Sequence, residues 1–162
     1  MVALTESKIA PDFSFIDADG KQKRLSDVVQ AGPVILYFYP RDFTPGCTIE
    51  ACDFRDNWAE FKKRGITVIG VSTDTGVSHK KFREKYNLPF ALAADDSKAI
   101  VKKYGVFGEK KFMGRTFDGT KRTTFLIGKG GKIKRIYKNV RAKGHVNEIL
   151  ESLPDVSSPD SA

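Results

Sequence analysis

Only two cysteines, two histidines and one tryptophan occur among 162 residues, and each scarcity closes off a class of protein. Cys47 and Cys52 are too few for the disulfide scaffold of a small secreted domain. In a reducing compartment two cysteines this close in sequence read as a catalytic or redox pair. His79 and His145 lie far from both cysteines and show no ligand spacing, so no metal site is expected. No apolar run approaches the roughly 20 residues of a membrane span, and the N-terminus has no apolar signal core. Internal repeats are absent as well. A cytoplasmic chain without membrane association is the expectation.

What is present supports one compact unit. With 40% hydrophobic residues the chain can bury an ordinary core. Residues 1–153 are expected to form a single domain. The end, SLPDVSSPDSA, has no periodicity and is rich in Ser, Pro and Asp, so residues 154–162 are expected to be a disordered tail.

The densest information lies in YPRDFTPGCTIEAC, residues 39 to 52. A hydrophobic run from Pro33 to Tyr39 reads as a buried strand, and Pro40, Pro45 and Gly46 punctuate the loop behind it. Helical spacing then begins. Ala51, Phe54, Trp58 and Phe61 share one face, and Glu50, Asp53 and Asp56 are read as acids in early turns, where the macrodipole favours them. One helix from Cys47 to Lys63 is expected, with Cys47 in or just before its first turn. Unpaired N–H groups and the dipole there stabilise thiolate. A fall in thiol pKa from about 8.5 to roughly 6 multiplies the thiolate fraction at neutral pH about thirtyfold. Because that is only about 2 kcal/mol, a fast thiol enzyme also needs groups that stabilise its transition state. Thr44 and an arginine are the candidates.

PRDFTPGC resembles the active-site signature of the peroxiredoxins, and CTIEAC, with a second cysteine five residues after the first, is similar to their bacterioferritin-comigratory or Q-type branch. Further stretches resemble the family's landmarks in order: APDFSFIDADGK, VILYFYP, VIGVSTD, RTTFLIGKGGKI and KGHVNEIL. Together they cover roughly residues 9 to 153. The resemblance implies that Cys47 is the peroxidatic cysteine, which attacks the O–O bond of a hydroperoxide and becomes a sulfenic acid. Thr44 corresponds to the hydroxyl that contacts peroxide and sulfur, Pro40 to the proline that shields the site, and Arg122 to the arginine that holds thiolate and peroxide. Cys52 corresponds to the resolving cysteine of an atypical two-cysteine enzyme, and Glu50 stands where the branch usually has an acid. Hydrogen peroxide and small organic hydroperoxides are the implied substrates, with thioredoxin or glutaredoxin as reductant, no metal, haem or flavin, and a monomer as the working unit.

Without the resemblance, several residues stay open. By helical angle Cys52 lies near neither Cys47 nor the centre of the apolar stripe, and it reads equally well as a packed residue. Arg122, ahead of a strand, does not stand out from Arg41 or Arg115. Two rival functions fit parts of the chain. A thioredoxin-fold protein-disulfide oxidoreductase normally carries Cys-x-x-Cys, whereas the spacing here is Cys-x-x-x-x-Cys, and insulin reduction separates the two. A basic nucleic-acid-binding module is suggested by the net charge of +8 and by KIKRIYKNVRAK, residues 132–143. Lys132, Lys134 and Lys138 share one parity, however, and fit a solvated strand face, so no specific nucleic-acid partner is expected.

The remaining pattern gives strands at Phe13–Ile16, Val34–Tyr39, Thr67–Val71 and Phe90–Leu92, and helices at Val77–Tyr86 and Ser97–Tyr104. Gly105 to Gly119 reads as a loop. A hairpin of Thr123–Ile127 and Ile133–Tyr137 follows, then a helix over Gly144–Leu153. Strands alternating with helices, closed by a hairpin and a helix, imply an α/β mixed central sheet flanked by helices. The order resembles a thioredoxin-like fold with an N-terminal hairpin extension.

Overall fold

Residues 4–153 are described by a computed structural model; the expected disordered tail, 154–162, lies outside the described residues. The chain begins with a hairpin, β1 (Ser14–Ile16) and β2 (Gln22–Arg24), and a short helix, α1 (Leu25–Ala31). Strand β3 (Val34–Phe38) leads to helices α2 (Pro45–Asp56) and α3 (Trp58–Lys63). Two strand–helix pairs follow, β4 (Thr67–Ser72) with α4 (Gly76–Tyr86) and β5 (Ala91–Ala94) with α5 (Ala99–Lys103). A hairpin, β6 (Phe107–Phe112) and β7 (Arg115–Thr120), precedes β8 (Thr123–Ile127), β9 (Ile133–Tyr137) and α6 (His145–Ser152).

The central sheet has the order β5-β4-β3-β8-β9, with β3, β4 and β5 parallel and β8 and β9 antiparallel. It is the expected mixed sheet of a thioredoxin-like fold. Strand β3 is buried on both faces and divides its side chains by the two-residue period. Val34, Leu36 and Phe38 join the core under α1 and α5, while Ile35, Tyr37 and Tyr39 join the core under α2, α3, α4 and α6. Cys47 belongs to this second core. Gly70 on β4 stands opposite Tyr37 in the parallel register. A β-carbon there would lie 2.8 Å from the Tyr37 ring, so only glycine leaves room for the stack of Tyr37 on Phe54 at 4.5 Å.

Three expectations are corrected, and one helix is added. The single helix from Cys47 to Lys63 is two, because Asn57 turns its amide back onto the Asp53 carbonyl and leaves helical geometry at φ −106°, ψ 11°. The first of these begins at Pro45, so Asp53 and Asp56 fall in its last turn, where the dipole disfavours acids. Residues 105–119 are not a loop but mostly the β6–β7 hairpin, turned by Met113 and Gly114, both at positive φ (50° and 78°). Such a turn twists with its strands, yet Met-Gly lacks the Asn or Asp that usually announces it. Helix α1, absent from the sequence reading, has only Leu25 and Val29 buried and too few turns to set a period. At the sheet edge, Lys132, Lys134 and Lys138 are exposed as expected. No helix of the described residues is long and apolar enough to cross a membrane.

Candidate active site

The segment from Tyr39 to Cys47 connects the C-terminal end of β3 to the N-terminus of α2. Pro40 sits half-buried just beyond the strand. Thr44 holds the N-cap position with extended backbone, and Pro45 takes the first helical position, where its missing N–H costs nothing. The Thr44 side chain does not cap the helix. Its hydroxyl donates instead to the Arg41 carbonyl at 2.9 Å, which leaves its lone pairs as acceptors and the first-turn N–H groups of Gly46 and Cys47 open.

Cys47 is the third residue of the helix, 1% exposed and reduced. Arg122, from the residue just ahead of β8, reaches it across the sheet. Its Nη2 donates to Cys47 Sγ at 3.3 Å and its Nη1 to Glu50 Oε1 at 2.8 Å. Burial works against the guanidinium's charge, but Glu50 and Cys47 together hold its pKa above the ordinary arginine value. Glu50 is fully buried one turn after Cys47, and burial raises its pKa to about 7 even against the pull of Arg122. Its Oε2 has no hydrogen-bond partner among the described residues. Lys110, on β6, is a further cation in the neighbourhood, its Nζ donating to the Thr120 carbonyl at 2.9 Å. Burial and then Arg122 lower its pKa, while Cys47 opposes them.

Of the residues singled out in the sequence, Cys47, Arg122 and Glu50 come together through hydrogen bonds, with Thr44 at the N-cap of the same helix and Pro40 at the loop's entry. Cys52 does not meet Cys47. Both lie within α2, where regular geometry separates α-carbons five residues apart by about 8.7 Å and turns their side chains about 140° apart. Cys52 is partly exposed, and burial pushes its thiol up with Arg55 pulling the other way. Sequence reasoning read Gly46 only as loop punctuation. It stands in the helix beneath Arg122, where a β-carbon would meet Nη2 at 3.3 Å. Asp42 and His79 were also missed as partners. Thirty-seven residues separate them, and their ring-to-carboxylate contact is 2.7 Å. Asp42, Asp74 and His79 bring ligand-type atoms within 4.8 Å of one another. Asp42 and His79 use both carboxylate oxygens and both ring nitrogens in protein hydrogen bonds, and Asp74 uses Oδ2. His145 is taken up by Thr124 and Glu148.

A reduced cysteine in the first turn of a helix, under an arginine that crosses from the facing strand of a mixed sheet, defines a thiol protein of thioredoxin-like fold. Residues 7–136 match the AhpC/TSA family, and the chain belongs to that family. It is 43% identical to peroxiredoxin Bcp of Escherichia coli K12 over 155 residues, 96% of this chain and 99% of that one. Peroxiredoxin Q of Xylella fastidiosa superposes with a TM-score of 0.83 at 30% identity, covering 95% of this chain and 99% of the other. The Xanthomonas campestris bacterioferritin comigratory protein, studied for alkyl peroxide reduction, superposes at 0.79 with 32% identity, covering 86% and 88%. The chain is thus a peroxiredoxin of the Bcp or Q-type branch, a thiol-dependent peroxidase.

Proposed function

We propose that this peroxiredoxin reduces hydrogen peroxide and small alkyl hydroperoxides through Cys47, that Cys52 resolves the product, and that a thioredoxin-type dithiol protein restores it. The observation that carries the reading is the Arg122 Nη2 contact to Cys47 Sγ, a fixed cation on a sulfur already at a helix N-terminus. The Cys47 thiolate attacks the distal oxygen of the hydroperoxide, the O–O bond breaks, and the alkoxide or hydroxide takes a proton to leave as alcohol or water. Cys47 becomes a sulfenic acid. Thr44 accepts from the peroxide O–H, Arg122 and the Gly46 and Cys47 N–H groups stabilise charge developing on the oxygens, and Pro40 limits access of water.

Cys52 then attacks the sulfenic sulfur, water leaves, and a Cys47–Cys52 disulfide forms. Since about 8.7 Å in a helix exceeds the about 7 Å that a disulfide spans, the first turns of α2 unwind for this step. The Thr44 and Asn57 boundaries support such a unit, since they set α2 apart from its neighbours. Thioredoxin, or glutaredoxin in its place, reopens the disulfide by thiol exchange, so electrons pass through sulfur throughout and no metal, haem or flavin takes part. With both thiols on one helix, turnover needs no second subunit, and the cycle suits a reducing cytoplasm.

One equivalent of hydrogen peroxide added to reduced protein is the test. Loss of two thiols and two mass units within seconds is expected, abolished in Cys47→Ser and replaced by a trapped sulfenic acid in Cys52→Ser. Two thiols that survive in the unmodified protein overturn the peroxidase reading, and oxidation of the unmodified protein to a covalent Cys47-linked dimer with Cys52 still free overturns its resolving step.

A further inference from the structure

Phe43, directly before Thr44, has φ +67°. A bulky side chain rarely takes this left-handed backbone, and its ring is 43% exposed, so burial of the ring does not explain it. The surrounding structure must hold it. The ring itself meets Phe82 edge-on at 5.1 Å, a contact available to many backbone conformations. The neighbouring residue is held far more tightly.

Asp42 is 4% exposed, and its amide and both carboxylate oxygens are engaged by different elements. Its N–H donates to Asp74 Oδ2 at 2.8 Å, on the turn after β4. Its Oδ1 accepts from the Tyr39 hydroxyl at 2.6 Å, and its Oδ2 from Ser78 Oγ at 2.8 Å. The same Oδ2 lies 2.7 Å from His79 Nδ1. His79 on α4 is 2% exposed, and its Nε2 stands 3.0 Å from the Ala93 carbonyl. A carbonyl only accepts, so Nε2 donates to it, and the ring is a strut between β5 and Asp42. Asp74 is fixed in turn by Ser72 Oγ at 2.6 Å.

We propose that the Asp42–His79 pair is a positioning device for the peroxidase reaction: it clamps Asp42, forces Phe43 into left-handed backbone, and thereby sets how Thr44, the N-cap three residues before Cys47, directs its hydroxyl. It rests on the peroxidase reading of the site. The chain of constraint is short. With Asp42 pinned at backbone and side chain and Pro45 committed to α2, the direction of the chain between them is absorbed at Phe43. Release of the clamp lets Phe43 return to ordinary backbone, and Thr44 turns away from the bond it makes to the Arg41 carbonyl. Arg122 and the first turn of α2 do not depend on the clamp, so the chemistry of the sulfur alone is left as it was.

That separation makes the device testable. In His79→Gln the rate constant for oxidation of Cys47 by hydrogen peroxide is expected to fall about tenfold, the scale set by escape of one residue from left-handed backbone. The rate of Cys47 alkylation by iodoacetamide and its pH profile are expected to stay within about twofold, since thiolate chemistry without the hydroxyl is unaffected. Addition of Phe43→Gly, which adopts positive φ freely, should restore most of the lost peroxide rate in the double variant. If His79→Gln does not fold, Asp42→Asn, equal in shape, carries the same comparison. Three results overturn the proposal: a variant that keeps the full peroxide rate, a parallel collapse of peroxide and alkylation rates, or no recovery with Phe43→Gly. An unmodified protein inert to peroxide but normally alkylated overturns the peroxidase reading instead.

Discussion

Gly46 passes so close beneath Arg122 that a β-carbon on it would stand 3.3 Å from the guanidinium Nη2, the nitrogen that donates to Cys47. The open position in the first turn of α2 is therefore shaped for the cation above it. Gly46→Ala should raise helix stability by up to about 1 kcal/mol and yet slow peroxide reduction about tenfold, because the guanidinium must shift by a few tenths of an ångström from its place on the sulfur. Thermal unfolding and stopped-flow oxidation, measured together, check the opposed signs.

Arg122→Met removes the donor to the sulfur and leaves Glu50 buried without its partner. The expected loss is about a hundredfold or more in peroxide rate and about 3 kcal/mol in stability at pH 8. Combination with Glu50→Gln should recover most of the stability and none of the rate. Urea unfolding beside oxidation kinetics separates the structural share of the pair from its chemical share.

Glu50 has a folded-state pKa of about 7, raised by burial above its ordinary 4.5. The folded state holds this proton more tightly than the unfolded chain, so the contribution to stability is complete below about pH 4.5 and is lost as pH rises through about 7. A shift of this size corresponds to about 3 kcal/mol. Glu50→Gln, which cannot ionise, should flatten that part of the stability profile between pH 5 and 8. Urea midpoints across the range measure it, and an unchanged slope in the variant would assign the loss to other groups.

Oxidised protein should show faster amide exchange along α2, residues 45–56, while α3, beyond the Asn57 break, keeps its protection. Far-ultraviolet circular dichroism should fall by about the helical signal of one to three turns. An oxidised protein with unaltered exchange in α2 would refute the unwinding step.

Much of the frame was legible because its signals are local. The run PVILYFY is apolar throughout, which identifies a strand buried on both faces, and the 3.6-residue spacing of Ala51, Phe54, Trp58 and Phe61 identifies a helical face. The hairpin of β6 and β7 escaped because its strands, FGEKKF and RTFDGT, are rich in charged residues and do not alternate apolar with polar along the sequence, so their partner is found only through backbone pairing. The Asn57 break escaped because the apolar stripe runs on across it, and one side-chain amide turned to Asp53 ends α2.

By itself the sequence determined the mixed α/β order, the loop that runs into a helix beside Cys47, and the pair of cysteines five residues apart, since periodicity, proline and glycine act on their own neighbours. Only the tertiary structure decided that Arg122, not Arg41 or Arg115, reaches the sulfur, because β8 pairs with β3 and carries position 122 to the end of the sheet where α2 begins. It alone joined Asp42 to His79 and Gly46 to Arg122. Those contacts span 37 and 76 positions, and nothing local distinguishes an aspartate that will find a buried histidine from one that will face water.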